Sequence, residues 1–237
     1  MELKDRDLVS VQETRNLLAQ AHEAAGKLAA MNQQQIDRIV EAISRAGITY
    51  AKPLAMQAQE ETGFGIWQDK VIKNLFAAKV IYDTIKDMKT IGIIGEDSVR
   101  KVWDIGVPVG VIAGLVPSTN PTSTAIYKAM IALKGGNAIV FSPHPSAKNC
   151  ILETVKQLAA AAEEAGCPKG AISAISTPTM EATQELMKHS YTSLILATGG
   201  GAMVKAAYSS GTPAIGVGAG NGRQRSWAVS FCGPTEP

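Results

Sequence analysis

Aromatic side chains are scarce, at 5% of the chain, so there is no run of ring faces on which nucleic-acid bases could stack. Neither sign of charge prevails. The 23 Lys and Arg stand against 21 Asp and Glu, mixed along the whole length, for a net charge of +2. A nucleic-acid surface would need a clustered basic face, and the sequence has none. No apolar run is long enough to span a bilayer. The opening MELKDRDLVSVQET carries acids among its first residues and lacks the hydrophobic stretch of a secretory signal. Cysteine is rare as well. Cys150, Cys167 and Cys232 form no metal-spaced pair and leave one over, which points to a reduced, cytosolic protein without a metal site. What the sequence does have is apolar content. At 46% hydrophobic and 19% charged over 237 residues, it can bury a core in one large domain or two small ones.

The first 90 residues read as helix. Ser10–Met31 is rich in Ala, Leu, Gln and Glu, all good helix formers, and Ser10 with Glu13 has the spacing of a capping box. A second helix spans about Asn32–Ala46 and is expected to stop near Gly47. A third begins after Pro53. The TGFG run, Thr62–Gly65, interrupts it, and a further helix covers about Gln68–Asp87. Ile91–Ile94 and Val99–Val107 then read as strands. In the second, apolar residues alternate but Val102 and Asp104 fit neither face. That pattern suits a two-sided strand at a subunit contact (about residues 97–108) or an ordinary hairpin.

From Val109 the order is regular. Strand Val109–Val116 precedes helix Ser123–Leu133, and strand Ala138–Phe141 precedes helix Ser146–Ala165. Strand Ala171–Ile175 precedes helix Met180–His189, and strand Ser193–Ala197 precedes helix Gly201–Tyr208. Strand Ala214–Val217 closes the series. Continuous apolar strands alternating with helices imply a parallel sheet covered on both faces. Ligands of such sheets bind beyond the carboxyl ends of the strands, so the residues just after each strand are the candidates.

After the first of these strands stands Pro117-Ser118-Thr119-Asn120-Pro121. Pro121 biases Asn120 away from helix, so the helix is expected to start beyond, capped by Thr122 or Ser123. Asn120 then sits at a helix mouth with an amide able to donate, or is simply part of an Asn-Pro turn. After the second comes Ser142-Pro143-His144-Pro145, the turn that in a dinucleotide fold faces the adenosine ribose. It holds no Asp or Glu, so discrimination against a 2′-phosphate should be weak. His144 either touches a cofactor or serves the turn. After the fourth comes Thr198-Gly199-Gly200-Gly201, whose glycines would let backbone N–H groups approach a phosphate or allow close helix–strand packing. It is neither G-x-G-x-x-G nor a Walker A loop. After the fifth, Gly218-Ala219-Gly220-Asn221 permits close backbone approach or a flexible exit. Cys150, inside a helix, reads as core, and Cys167, between Gly166 and Pro168, as a loop residue.

Three segments, VPSTNPTSTAIYKAM, IVFSPHPSAK and ATGGGAMVKAAYSSGTPAIGVGAGN, together resemble the CoA-acylating branch of the aldehyde dehydrogenase superfamily, the acetylating acetaldehyde dehydrogenases. The likeness runs over about residues 5–221. It implies an α/β fold, an aldehyde-dehydrogenase-like doubly wound parallel sheet preceded by an N-terminal helical segment, with residues 1–221 as the NAD(P)-binding domain. The implied reaction oxidises a short-chain aldehyde with NAD, NADP remaining open, and passes the acyl group from a cysteine to coenzyme A. By the same likeness Leu115, Val116, Pro117, Ser118, Thr119 and Asn120 line the cofactor, largely through backbone. Ser142 and His144 lie near its ribose, Thr198, Gly199 and Gly200 near its pyrophosphate or nicotinamide, and Gly218 beneath the nicotinamide. Asn120 is the candidate oxyanion donor, with Thr119 as the alternative, because an ungapped match to the hydrolytic branch sets that branch's Asn opposite Thr119. Hydrolytic relatives carry a water-activating glutamate where this chain has Val217, which favours a thiol acceptor. A homo-oligomer in the cytoplasm is expected. Some relatives dock on bacterial microcompartments, but the helix near Ser10 resembles the family's ordinary first helix rather than a targeting extension.

The family's nucleophilic cysteine lies in a later segment close to F-D-N-G-x-x-C, and no such motif follows Asn221 here. Residues 222–237, GRQRSWAVSFCGPTEP, have two Arg, one Trp and two Pro in sixteen residues and resemble an out-of-frame or fusion-derived tail. Cys232 has neither the spacing nor the neighbours of the nucleophile. The expectation is a chain without the catalytic domain and inactive alone, with a non-catalytic nucleotide-binding fragment or partner subunit as the alternative.

Overall fold

The computed structural model describes residues 5–218. The atypical tail at 222–237, with Cys232, and Asn221 of the last turn lie outside the described residues. The chain begins with helices α1 (Arg6–Ala29), α2 (Gln33–Thr49), α3 (Ala51–Thr62) and α4 (Trp67–Leu75). A π turn (Phe76–Val80) and α5 (Ile81–Ile85) continue α4 without a break, where one uniform helix over Gln68–Asp87 is the sequence expectation. Strands β1 (Gly92–Asp97) and β2 (Val102–Gly106) form a separate antiparallel pair. The remainder alternates: β3 (Val111–Val116), α6 (Pro121–Lys134), β4 (Ala138–Pro143), a 3-10 turn (Pro145–Ala147), α7 (Lys148–Glu164), β5 (Ile172–Ala174), α8 (Met180–Lys188), β6 (Thr192–Thr198), α9 (Gly201–Tyr208) and β7 (Ala214–Val217).

The main sheet has the order β5-β4-β3-β6-β7, all parallel. Right-handed crossovers put α6 and α7 on one face and α8 and α9 on the other, and the direction of travel reverses between β3 and β6. β3 and β4 are buried along their whole length, as strands covered on both faces must be. Helix α2 packs on α6 and α7, and α1 packs on α8 and on strands β3, β4 and β5. Leu18, Leu28, Ile36, Ile39 and Ile43 of the first two helices therefore join the sheet residues in one apolar core.

Four local expectations are corrected, the first being the third helix, which begins at Ala51 with Pro53 inside its first turn. Helix α1 starts at Arg6, capped by the Asp5 carboxylate, which accepts from Asp7 N at 2.9 Å and Leu8 N at 3.1 Å. Ser10 and Glu13 are thus inside the helix and make no capping box. Ser10 Oγ donates to Thr177 O, and the Glu13 carboxylate accepts from Ser176 N and Thr177 N, pinning α1 to the segment after β5. Gly47 does not end α2. It is buried within the helix, where a Cβ would sit 2.8 Å from Ala78 Cβ and 3.2 Å from Ile126 Cγ2, so glycine there permits close approach of the π turn. The cap of α2 is at its start, where Asn32 and Gln35 make the reciprocal box. Finally, α6 starts at Pro121, with Asn120 at the cap position. Proline is well accommodated at a first helical position, where no partner for an N–H is needed, so neither Thr122 nor Ser123 is the cap.

Strands β1 and β2 are a hairpin turning through Lys101 at φ 56°. Its faces stay apolar and open, with Val102 51%, Trp103 61% and Ile105 59% exposed. The hairpin resolves the mixed pattern of the sequence, since both faces carry apolar side chains.

Gly47→Ala gives a sharp check of the packing. In an open helix that change stabilises by about 1 kcal/mol. Against Ala78 it should destabilise by roughly 1–3 kcal/mol, read as a lower urea midpoint. A higher midpoint would show that the π turn yields.

Candidate functional site

The loops that follow β3, β4, β6 and β7 converge on one cavity of about 680 Å³. All twelve residues singled out from the sequence line it: Leu115, Val116, Pro117, Ser118, Thr119, Asn120, Ser142, His144, Thr198, Gly199, Gly200 and Gly218. Pro143 and Pro145 of the turn after β4 and Val217, where hydrolytic relatives carry glutamate, also line it, and sequence reasoning missed the rest of the wall, namely Pro178, Thr179, Met180, Thr183 and Met203. The segment 178–183 begins α8 on the far side of the sheet edge, and only the folded topology brings it to the cleft. The lining described here holds no Asp, Glu, Lys or Arg. Apolar side chains, hydroxyls and backbone make the surface.

Each turn is braced from behind. Tyr127 Oη lies 3.2 Å from Thr198 Oγ1, and Ser142 Oγ lies 2.8 Å from Thr183 Oγ1. His144 Nδ1 accepts from Ser146 N at 3.2 Å, and the backbone N–H of His144 donates to Val116 O at 3.1 Å. One ring nitrogen of His144 therefore serves the turn, as the plainer reading of that residue has it. Gly200 stands at the N-cap position of α9, and a Cβ there, or at Gly218, would meet no atom of the described residues within 4 Å. Both positions border open cleft, where a side chain would take space from a ligand. The mouth of α9 offers backbone N–H groups, the arrangement that suits a phosphate.

Three lysines that no motif singled out hold the floor. Lys128 of α6 is 1% exposed. Its Nζ donates to Leu115 O and to Leu196 O, each at 2.7 Å, crossing from β3 to β6 at the point where the strand order reverses. Burial pulls its pKa from 10.5 to about 7. Lys70 of α4 is also buried and donates to Thr119 O at 3.0 Å. Burial, then the Lys73 charge, lowers its pKa, with Cys150 opposing. Lys73 donates to Asn120 Oδ1 at 2.9 Å. The signal available in the sequence was the i, i+3 spacing of Lys70 and Lys73 on a helix otherwise apolar on one side, too common a pattern to single out.

The two described cysteines are not nucleophiles. Cys150 lies in the first turn of α7 with its thiol in the core, and burial, followed by the hydrogen bond and charge of Glu61, drives its pKa far up. Cys167 is a loop residue with a buried thiol, pushed up to about 12 by burial and then by Glu163. Neither is a thiolate near neutral pH. Among the described residues no group of His, Cys, Asp and Glu could hold a metal ion.

Comparison with known proteins places this geometry. The profile of the aldehyde dehydrogenase family matches residues 5–215. The bifunctional aldehyde-alcohol dehydrogenase AdhE of Escherichia coli K12 is 48% identical over 214 residues, 90% of this chain and 24% of that protein. The crystal structure of a probable aldehyde dehydrogenase from Listeria monocytogenes EGD-e superposes with a TM-score of 0.89 at 64% identity, covering 90% of this chain and 47% of that one. An acetylating aldehyde dehydrogenase from Geobacillus thermoglucosidasius superposes with a TM-score of 0.91 at 58% identity, covering 92% of this chain and 48% of that one. The chain thus spans about a quarter of the aldehyde-alcohol dehydrogenase and about half of the two solved chains.

Lys128 makes a prediction with a definite sign. Its proton is lost near pH 7 in the folded chain and near 10.5 in the unfolded one. Between those values the unfolded state holds more protons, so stability should rise with pH. Below about pH 7 both states are protonated and the burial penalty is carried in full. Urea unfolding from pH 7 to pH 9 should show this rise in the wild type and lose it in Lys128→Met. An equal slope in both would exclude titration of Lys128.

Proposed function

The chain belongs to the aldehyde dehydrogenase family, and on that premise we propose that residues 5–218 are the NAD(P)-binding part of a CoA-acylating aldehyde dehydrogenase. The observation that carries the reading is the convergence of four strand-end loops on one cavity at the reversal of strand order. That is where doubly wound sheets bind dinucleotides. The fit is chemical as well. The glycines at the mouth of α9 leave room and N–H donors for a pyrophosphate. The wall of prolines, Met180 and Met203 suits an adenine ring. When bound, the nicotinamide supplies the hydride acceptor for oxidation of the aldehyde.

In this reading Leu115–Asn120 hold the nicotinamide end through their backbone, and Ser142 and His144 stand by the adenosine ribose. Thr198, Gly199 and Gly200 take the pyrophosphate, and Gly218 closes the cleft from below. The turn after β4 offers a ribose neither carboxylate nor cation, so NAD is the first choice and NADP is not strongly rejected. Asn120, with Thr119 beside it, serves as the oxyanion donor for an aldehyde carbon under attack. Val217 lines the cleft without a carboxylate, so no side chain there activates water, and a thiol acceptor such as coenzyme A is favoured. The aldehyde is short, with acetaldehyde, propionaldehyde and sulfoacetaldehyde all compatible.

Cys150 and Cys167 are too buried to attack a carbonyl, so the described residues bind and orient without supplying the nucleophile. This favours, as a second reading, a nucleotide-binding part that acts only beside another chain or segment. The exposed apolar hairpin β1–β2 suits assembly with a second copy. No described helix is long and apolar enough to cross a membrane, and a cytoplasmic site of action is the reading we adopt.

Calorimetric titration with NAD and NADP tests the proposal. NAD should bind, with NADP within about tenfold, roughly 1.4 kcal/mol. Folded protein that binds neither dinucleotide at millimolar concentration would sink the cofactor reading. Gly200→Asp sharpens the test. Its side chain fits without a clash and can cap α9, but its charge should weaken NAD at least tenfold at unchanged stability.

A further inference from the structure

Helix α4 grips the loop that opens the cleft with three side chains on one helical face. Lys70 Nζ donates to Thr119 O at 3.0 Å, Lys73 Nζ donates to Asn120 Oδ1 at 2.9 Å, and Asn74 Oδ1 accepts from Thr122 Oγ1 at 2.8 Å. Positions 70, 73 and 74 are i, i+3 and i+4, which share a face. Asn74 is fully buried, and its Nδ2 donates to Ala51 O at 2.9 Å, so the grip is anchored to the start of α3. The π turn at 76–80 follows at once, and Ser44 Oγ donates to Ala78 O at 2.7 Å.

The contact to Asn120 has a chemical consequence. An ammonium can only donate, so it must face the amide oxygen. The amide is planar, so fixing Oδ1 fixes Nδ2 on the other arm. An asparagine free to flip offers a mixture of acceptor and donor, whereas one held by Lys73 offers a donor alone. The contact is open to solvent, so it acts on the orientation of the amide and not on the strength of its N–H groups. Asn120 itself lines the cavity.

We infer that Lys73 is a positioning residue that holds the Asn120 amide as a fixed hydrogen-bond donor toward the cleft. Its catalytic purpose rests on the reading of Asn120 as oxyanion donor, whereas the orientation is a property of the chain itself. Lys73 touches neither cofactor nor substrate in this account and acts through Asn120.

Side-chain ¹⁵N relaxation of the Asn120 amide tests the inference on the whole chain, without any assay of turnover. In the wild type the side-chain amide should approach the order parameter of rigid backbone, about 0.85, and in Lys73→Met it should fall below about 0.6. Lys73→Arg keeps a donor cation and should restore the rigid value, which a merely structural loss would not. Backbone amide peaks of α4, β3 and α6 should stay in place, and Lys73→Ala serves as the second variant if Lys73→Met does not fold. An Asn120 amide equally rigid in the Met or Ala variant would overturn the inference. The same spectra with NAD added keep the two readings apart. If NAD moves cleft peaks but Asn120 stays rigid without Lys73, the positioning role falls and the cofactor site stands. If NAD moves none while Asn120 loosens, the cofactor site falls and the positioning role stands.

Discussion

A single buried ammonium spans the place where the sheet changes direction. Lys128 reaches from α6 to the carbonyl oxygens of Leu115 and Leu196, at the ends of adjacent strands β3 and β6. Those strands send their chains to opposite faces, one into α6 and the other toward α9. The cleft exists because the two loops part there, and the lysine ties the strands together just beneath the parting. Burial of a cation is costly, and the depressed pKa records that cost. Two short hydrogen bonds to carbonyl oxygens offset part of it, and both remain available to a neutral amine.

The helices that precede the sheet belong to the same mechanical unit. Helix α1 is tied to the segment after β5 through Ser10 and Glu13, and α4 is tied to the segment after β3 through Lys70, Lys73 and Asn74. Both ties land on loops at the carboxyl edge of the sheet. The N-terminal helices therefore shape the cleft from two sides. The π turn after α4 and the glycine of α2 opposite it belong to the same device, since Gly47 lets α2 close on Ala78 and Ser44 takes up the Ala78 carbonyl. Polar and small residues that look like interruptions of helices are the contacts that place them.

Much of this was legible in the chain. The alternation of apolar strands and helices from residue 109 onward predicts a parallel sheet, and each strand was located to within a few residues. The rule that ligands gather beyond strand ends then selects Pro117–Asn120, Ser142, His144, Thr198–Gly200 and Gly218, the family likeness adds Leu115 and Val116, and the fold brings every one of them to a single cavity. Other features were not legible. Ser10 and Glu13 satisfy the spacing of a capping box as well as they satisfy their real contacts 163 or more residues away. Gly47 has the signature of a helix end, but a buried close approach asks for the same residue. A lysine in the middle of an apolar helix could be read as a solvated charge.

The sequence by itself determined the local order, because hydrophobic period, turn residues and the Pro, Ser, Thr and Gly punctuation act over a few residues. It determined which loops carry no charge, and so the kind of surface the cleft has. Tertiary structure alone decided which polar side chains are partners. Lys70, Lys73 and Lys128 acquire their roles only when α4 and α6 are packed against strand ends 13 to 68 residues away in the chain. A hydrogen bond depends on the meeting of two groups in space, and the spacing of residues along one chain carries no record of that meeting.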